Sequence, residues 1–293
     1  MRQLMVCITA ALSLCSGAVA SGSALAQTDG KPAPDKSQYW LLNPVPDNLL
    51  RSFSTDRPTK SNVPYTVDAG HFQYEMDLFN FASMKTGTVR TDTWLVPNPT
   101  LKVGLTSNID LEFNLAPFAS VHSCDSASGI SSTISGSSDL FARMKINLWG
   151  NDGGTSAFAL IPYVKAPTAP VGIGNGATEG GVIAPLSFSL PNDFTLLFNS
   201  EVDALKDKTG SGHHANFINL VNLSRPIVKD VTLYVELWSD VNNDPTAKVT
   251  QYSFDTALAW TIKPNFQLDV GANFGLNRET PAVEVYIGAA QRF

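Results

Sequence analysis

The sequence predicts an all-β chain that closes into a transmembrane, up-and-down antiparallel β-barrel of about twelve strands, of the outer-membrane type. Three observations carry that expectation. Apolar residues alternate with polar ones at a period of two from His71 to the C-terminus, brief connections alternate with long ones, and the last strand ends on a bare aromatic residue, Phe293. A terminus left in water usually frays. A final strand of Val283, Val285, Ile287, Ala289 and Phe293 against Glu284, Gly288 and Arg292 instead reads as one sealed into a sheet.

Composition narrows the class. Hydrophobic residues make up 43% of the 293 and mean hydropathy is near zero, too polar for a helical membrane protein but suited to strands that alternate between lipid and water. A formal charge of -6, with no basic cluster to meet phosphates, argues against a nucleic-acid partner.

Residues 1–26 read as a cleaved secretory signal. Arg2 gives the positive start, Leu4 to Ala20 the apolar run, and Ala24-Leu25-Ala26 the small-residue cleavage site. Leu14 before Cys15 is bulky where a lipoprotein signal wants a small residue. Cleavage removes Cys7 and Cys15 and leaves Cys124 without an intramolecular disulfide partner. No later segment has the apolar length of a membrane helix, so insertion would fall to strands. The expected place is the outer membrane of a Gram-negative type of cell.

Residues 27–70 carry Pro32, Pro34, Pro44, Pro46, Pro58 and Pro64 and little periodicity. They read as a periplasmic arm or plug, with a disordered leader as the alternative. The barrel is expected over 71–293. Its first strand sets Phe72, Tyr74, Met76 and Leu78 against Gln73, Glu75 and Asp77. A second runs from about Asp92 to Leu105, with Pro97 and Pro99 demanding a bulge or a kinked end. Ile109, Leu111, Phe113 and Leu115 then alternate with Asp110, Glu112 and Asn114. Residues 122–138 read as a Ser/Gly-rich loop.

Leu140 to Leu148 alternate with Arg143, Lys145 and Asn147 and end in the turn Asn151-Asp152-Gly153-Gly154. Phe158 to Lys165 returns, and a glycine-rich loop follows. Val182 to Leu190 and Phe194 to Val202 form the next pair, the latter opposing Asn199, Glu201 and Asp203. Ala215 to Leu223 is weakly patterned, and Arg225-Pro226 is expected to open a turn into Val231 to Leu237, opposite Thr232, Glu236 and Trp238. Tyr252 to Ile262 and Phe266 to Phe274 precede the terminal strand.

Orientation follows from size. Strands about 4.8 Å apart and tilted about 40° would enclose a cylinder roughly 24 Å wide if twelve close. Valine, leucine and phenylalanine turned inward would leave a void. Turned outward they meet acyl chains, with Phe72, Phe194, Trp260, Phe266 and Phe293 as an aromatic girdle. An exported β-sandwich would share the alternation but not the loop asymmetry.

The motif Asp56-Arg57-Pro58, then Ser61, Pro64, Tyr65 and Gly70-His71-Phe72-Gln73-Tyr74-Glu75, resembles the opening of the outer-membrane family described as the putative MetA-pathway of phenol degradation. Pro99 to Leu105 before Asp110-Leu111-Glu112, and Pro162 to Thr168, resemble it further. Thr59 departs from the acid expected after Asp-Arg-Pro. The resemblance implies a transporter-like barrel with an uptake role for aromatic or other hydrophobic compounds.

The lumen and selectivity candidates are Glu75, Asp77, Glu112, Arg143, Lys145, Glu201, Asp203 and Glu236. Arg143 and Lys145 on one strand could face Glu201 and Asp203 across the lumen and set a transverse field; an internal salt-bridge network is the alternative. Asp56 and Arg57 are candidates to lock the arm into the periplasmic mouth. Phe293 is read as the barrel-assembly signal.

His122, Ser123, Cys124 and Asp125 lack the orienting partners of a triad, so a lipid hydrolase using His122 and Ser123 stands only as an alternative, beside a structural barrel with a closed lumen. His213-His214 point apart as adjacent residues and read as solvated. The chain is expected to be a channel or transporter and not an enzyme, with no cofactor or metal. Its expected partners are outer-membrane lipid, the barrel-assembly machinery and small solutes.

Overall fold

The computed structural model describes residues 34–293. The expected signal segment, and residues 27–33 of the arm, lie outside the described residues. Within them one antiparallel sheet contains β1 (Phe72–Thr86), β2 (Val89–Leu95), β3 (Asn98–Gly104), β4 (Ile109–Asn114), β5 (Ala119–Asp125), β6 (Ser131–Gly136), β7 (Leu140–Trp149) and β8 (Ser156–Ala166). It continues through β9 (Glu179–Ser189), β10 (Thr195–Lys206), β11 (His213–Val228), β12 (Val231–Asn242), β13 (Val249–Lys263), β14 (Phe266–Gly275) and β15 (Val283–Arg292). Three pairs, β2/β3, β4/β5 and β6/β7, are broken halves of single staves, so the closed barrel has 12.

Closure is made by β15 on β1, in register from Gln73 with Arg292 to Ser83 with Val283. Phe293 completes the seam, because its N–H donates to the Phe72 carbonyl at 2.8 Å and its own carbonyl accepts from Phe72 N–H at 3.3 Å. No free edge remains at the terminal strand, as a wall in hydrocarbon requires. The break at Pro97 falls where a residue without an N–H cannot continue a ladder: β3 pairs the lower half of β1 and β2 its upper half.

The alternation sorts the chain inside out. Phe72, Leu101, Trp260, Ile287 and Phe293 are exposed, whereas Glu75, Asp110, Glu112, Lys145 and Asp255 are at most 3% exposed. Such carboxylates and ammonium groups would be prohibitive in an ordinary core. They are held because they face one another and the arm.

Three element assignments differ from the sequence expectation. Residues 122–138 are not a plain loop: β5 and β6 pair from Ala119 with Gly136 to Cys124 with Ser131. β6 is exposed almost throughout, so it has no lipid face to print an alternation, and backbone pairing with a few side-chain bonds to β5 holds it.

Arg225-Pro226 lies within β11, at a register shift, and the turn comes at Lys229-Asp230, where Asp230 takes φ 63°. β1 runs beyond Leu78 to Thr86, because a bulge between Asp77 and Phe79 resets the phase.

Candidate functional site: the lumen and the arm inside it

The arm enters at the mouth where the short turns lie. Lys36 Nζ is 2.7 Å from Asp152 and 3.2 Å from Asp68, while Arg51 Nε donates to Asp152 at 2.9 Å and Arg51 N–H to Asp68 at 3.0 Å. Arg292 of β15 donates to the Arg51 carbonyl at 2.9 Å. Burial pushes the Asp152 carboxyl up, but bonds from Arg51 and Lys36 outweigh it and hold the group below the usual carboxylate range. These contacts make the mouth a knot of alternating charge.

Beyond the mouth the chain turns up into the barrel and reverses around Arg57–Asn62. On one side the tip is clamped. Arg57 donates to both oxygens of Asp269, at 3.1 and 2.6 Å, and to Asp77 at 2.5 Å, and its guanidinium lies 5.7 Å from the Tyr286 ring centroid. Gly288 makes this seat, since a Cβ there would overlap the guanidinium. A planar fork gripping one carboxylate in two places gives fixed geometry as well as charge.

Asp56 binds Lys102 and, at 2.9 Å, Lys145. Lys102 also contacts Glu75 at 2.6 Å, and Lys145 contacts Glu112 at 3.1 Å. Every member of this network is mostly buried, so each charge depends on the others.

On the opposite side the tip is held more lightly. Lys60 Nζ donates to Ser253 Oγ at 2.8 Å, lies 3.2 Å from Asp255 Oδ2, and sits 4.3 Å from the Trp238 ring centroid. Lys60 N–H donates to Glu236 at 3.2 Å. Asn62 exchanges two bonds with Asn199, at 2.6 and 3.0 Å. Between the arm and this wall is a cavity of about 260 Å³, lined among others by Phe53, Tyr65, Thr232, Tyr234, Thr261 and Gln267.

The family profile described as the Putative MetA-pathway of phenol degradation matches residues 55–293. The chain belongs to this family. No curated sequence matches it. Among solved structures, the COG4313 outer membrane channel from Pseudomonas putida F1 superposes with a TM-score of 0.63 at 12% identity, covering 80% of this chain and 100% of that one. The NanC porin gives a TM-score of 0.46 at 10% identity, covering 75% and 98%. OmpT of Vibrio cholerae, as a loop-deletion mutant, gives 0.41 at 8%, covering 76% and 98%. At these identities the likeness is one of fold.

The residues that resemble the phenol-degradation family fall at the contacts just described. Asp56-Arg57-Pro58 is at the tip, and Thr59, where an acid was expected, places its hydroxyl 2.6 Å from that of Ser61. Gly70 has φ 78°, and a Cβ there would collide with Pro44. The His71 imidazole reaches the carbonyls of Phe293 and Val45 at 2.9 and 2.8 Å, joining arm to seam. Lys165 of the third motif pairs with Glu179 at 2.6 Å and Asp139 at 3.3 Å, at the far end of β8 and β9.

Several sequence expectations for the site are corrected. Asp56 and Arg57 do fasten the arm, but to the wall within the lumen rather than at the mouth, which Lys36, Arg51 and Arg292 secure. Of the two readings of Arg143/Lys145 and Glu201/Asp203, a free transverse field or an internal salt-bridge network, the contacts of Lys145 match the network. Lys145 is taken by Asp56 and Glu112, and Asp203 accepts from Tyr163 at 2.7 Å and Asn216 at 3.1 Å.

β7 and β10 are separated in the wall only by β8 and β9, so their charges are neighbours rather than opposites. Glu236 meets the backbone of Lys60, a residue with no sequence sign of a role.

His214 is not solvated. Its side chain is 6% exposed, with Nδ1 2.9 Å from Asp207 and 3.8 Å from Asp244. One ligand atom from each of the three lies within 4.8 Å of the others. The Asp244 carboxylate accepts the N–H groups of Lys208, Thr246 and Ala247, and these bonds hold its pKa well below the usual range. The cluster thus ties two long loops together through His214 Nδ1, while the buried His214 Nε2 has no hydrogen-bond partner.

His122 Nδ1 is 2.8 Å from Thr133 Oγ1, and Ser123 Oγ is 3.3 Å from Thr91 Oγ1. As consecutive residues of β5 they point to opposite sides and do not form a dyad.

Proposed function

We propose that this protein is an outer-membrane channel for small solutes, with hydrophobic or aromatic compounds as its cargo and the arm tip as its constriction. The observation that carries this reading is a polar, charge-lined interior crossed by a chain segment that leaves a cavity of about 260 Å³ against β9–β14. A lumen serving only as structure would gain more from a filled, neutral interior than from buried ions that must all be matched.

Cavity volume supports a cargo of roughly the size of one substituted aromatic ring. Phe53, Tyr65 and Tyr234 offer ring faces, and Thr232, Thr261 and Gln267 offer hydrogen bonds. The family description supports the same class.

The experiment is single-channel conductance of the refolded protein in a planar bilayer, joined to flux of a small aromatic solute into liposomes. Ohmic steps and solute entry are expected, both larger in a variant lacking the arm. A second reading, a barrel with a closed lumen, is favoured by the fastening of the tip to both walls. Silence from both the full chain and the armless variant would establish it.

A further inference from the structure

We infer that Trp238, Ser253 and Asp255, with Glu236 beside them, form a recognition site for a small primary ammonium compound, which Lys60 of the arm occupies as a built-in stand-in. This rests on the channel reading for its consequence but not for its chemistry. A primary ammonium carries three donors and a compact charge. Around Lys60 Nζ the lumen wall supplies a hydroxyl oxygen at 2.8 Å, a carboxylate oxygen at 3.2 Å and an indole face at 4.3 Å. Carboxylate, hydroxyl and aromatic face together are what a desolvated amine needs.

The wall is built for this independently of the arm. In the β12–β13 register Glu236 stands opposite Asp255 and Trp238 opposite Ser253, all inward. Two carboxylates on neighbouring strands repel each other unless a cation lies between them. Asp255 and Ser253 are at most 1% exposed, and the one cation against the Asp255 carboxylate is Lys60, at 3.2 Å from Oδ2 and outside good hydrogen-bond geometry. Lys60 therefore brings charge to a buried carboxylate with part of its lone-pair capacity unused, and a free amine, unconstrained by the arm backbone, can turn its N–H groups onto it.

Exchange is easiest at this anchor. The Lys60 side chain is 26% exposed, against 12% for Arg57 and 0% for Lys145. A free ammonium that displaces Lys60 replaces one cation by another, and no buried charge is left bare. The tip then keeps its hold through Arg57 and Asp56 and loses it at β12–β13, beside the cavity. Amine binding is thereby linked to a wider lumen.

The test uses the full-length protein in detergent and then in bilayers, with n-butylammonium chloride as probe, n-butanol as neutral isostere and sodium chloride as the ionic-strength control. The expected result is a saturable change in tryptophan fluorescence with butylammonium alone. It should be lost in Trp238→Leu and shifted about tenfold or more in half-saturation in Asp255→Asn. In bilayers butylammonium should raise wild-type conductance, while Lys60→Met should conduct at the raised level without amine and ignore it.

A wild-type fluorescence response that does not saturate, or that persists in Trp238→Leu, overturns the site. Saturable binding with no conductance in any variant upholds the site and sinks the channel reading. Conductance in all variants without binding does the reverse.

Discussion

The two walls that hold the arm tip differ in kind. Toward β1, β3, β7 and β14 the tip presents a guanidinium gripping Asp269 in two places and a carboxylate shared by two lysines. Toward β10, β12 and β13 it presents one half-covered ammonium and paired carboxamide bonds. The first is an anchor, since removing any member strands a buried charge. The second is a latch, since its one cation is the more exposed and its carboxamide bonds can be exchanged for water or another donor at little cost. A segment held in both ways can swing on the first while releasing the second.

Breaking the anchor should have the largest effect. Arg57→Ala leaves Asp77 and Asp269 buried without their cation, and a loss on the order of 3–5 kcal/mol is expected, read as a lowered unfolding midpoint. Arg57→Lys should restore charge but only part of the midpoint, because an ammonium cannot bridge Asp77 and both oxygens of Asp269. Full rescue by lysine would show that geometry contributes nothing.

Gly288→Val attacks the same anchor from the wall. The added side chain occupies the guanidinium's seat, and about 1–3 kcal/mol of overpacking is expected with Arg57 displaced. In Arg57→Ala the same substitution should be nearly silent, so the double variant measures the contact directly. Additive losses would mean that Gly288 matters for some other reason.

On the latch side Lys60→Met should lower stability by less than Arg57→Ala does, since Lys60 is the more exposed cation and meets one carboxylate where Arg57 meets two. A loss as large as that of Arg57→Ala would erase the distinction between the walls.

Much of the anchor wall was legible in the sequence, and little of the latch. Parity alone places Glu75, Asp77, Glu112 and Lys145 inward, because each lies between residues that must meet lipid. It could not say which charge meets which, for pairing is set by the arm, and residues 34–70 have no periodicity from which a contact can be read. Lys60 and Arg51 carry no local mark of their partners.

Lys36 and Asp68 are hidden for the same reason, being far apart in the chain and joined only by its fold. Phe293 was legible because a strand sealed at its last residue has a pattern that runs to the end. β6 was not, because a strand beyond the lipid has no apolar face.

The mouth offers the smallest and most specific test. Asp152 is held below the usual carboxylate range by Arg51 and Lys36 against the opposing pull of burial. A carboxyl whose folded-state pKa is depressed adds stability in full above its unfolded value, about 4, and loses that contribution as pH falls through the depressed one. Asp152→Asn should therefore melt below the wild type at pH 7, and the gap should close on acidification below about pH 4.

The gap should be under about 1 kcal/mol, because Asp152 is partly exposed and Asp68 still holds both cations. An equal gap at both pH values would assign the loss to the shape of the turn rather than to charge.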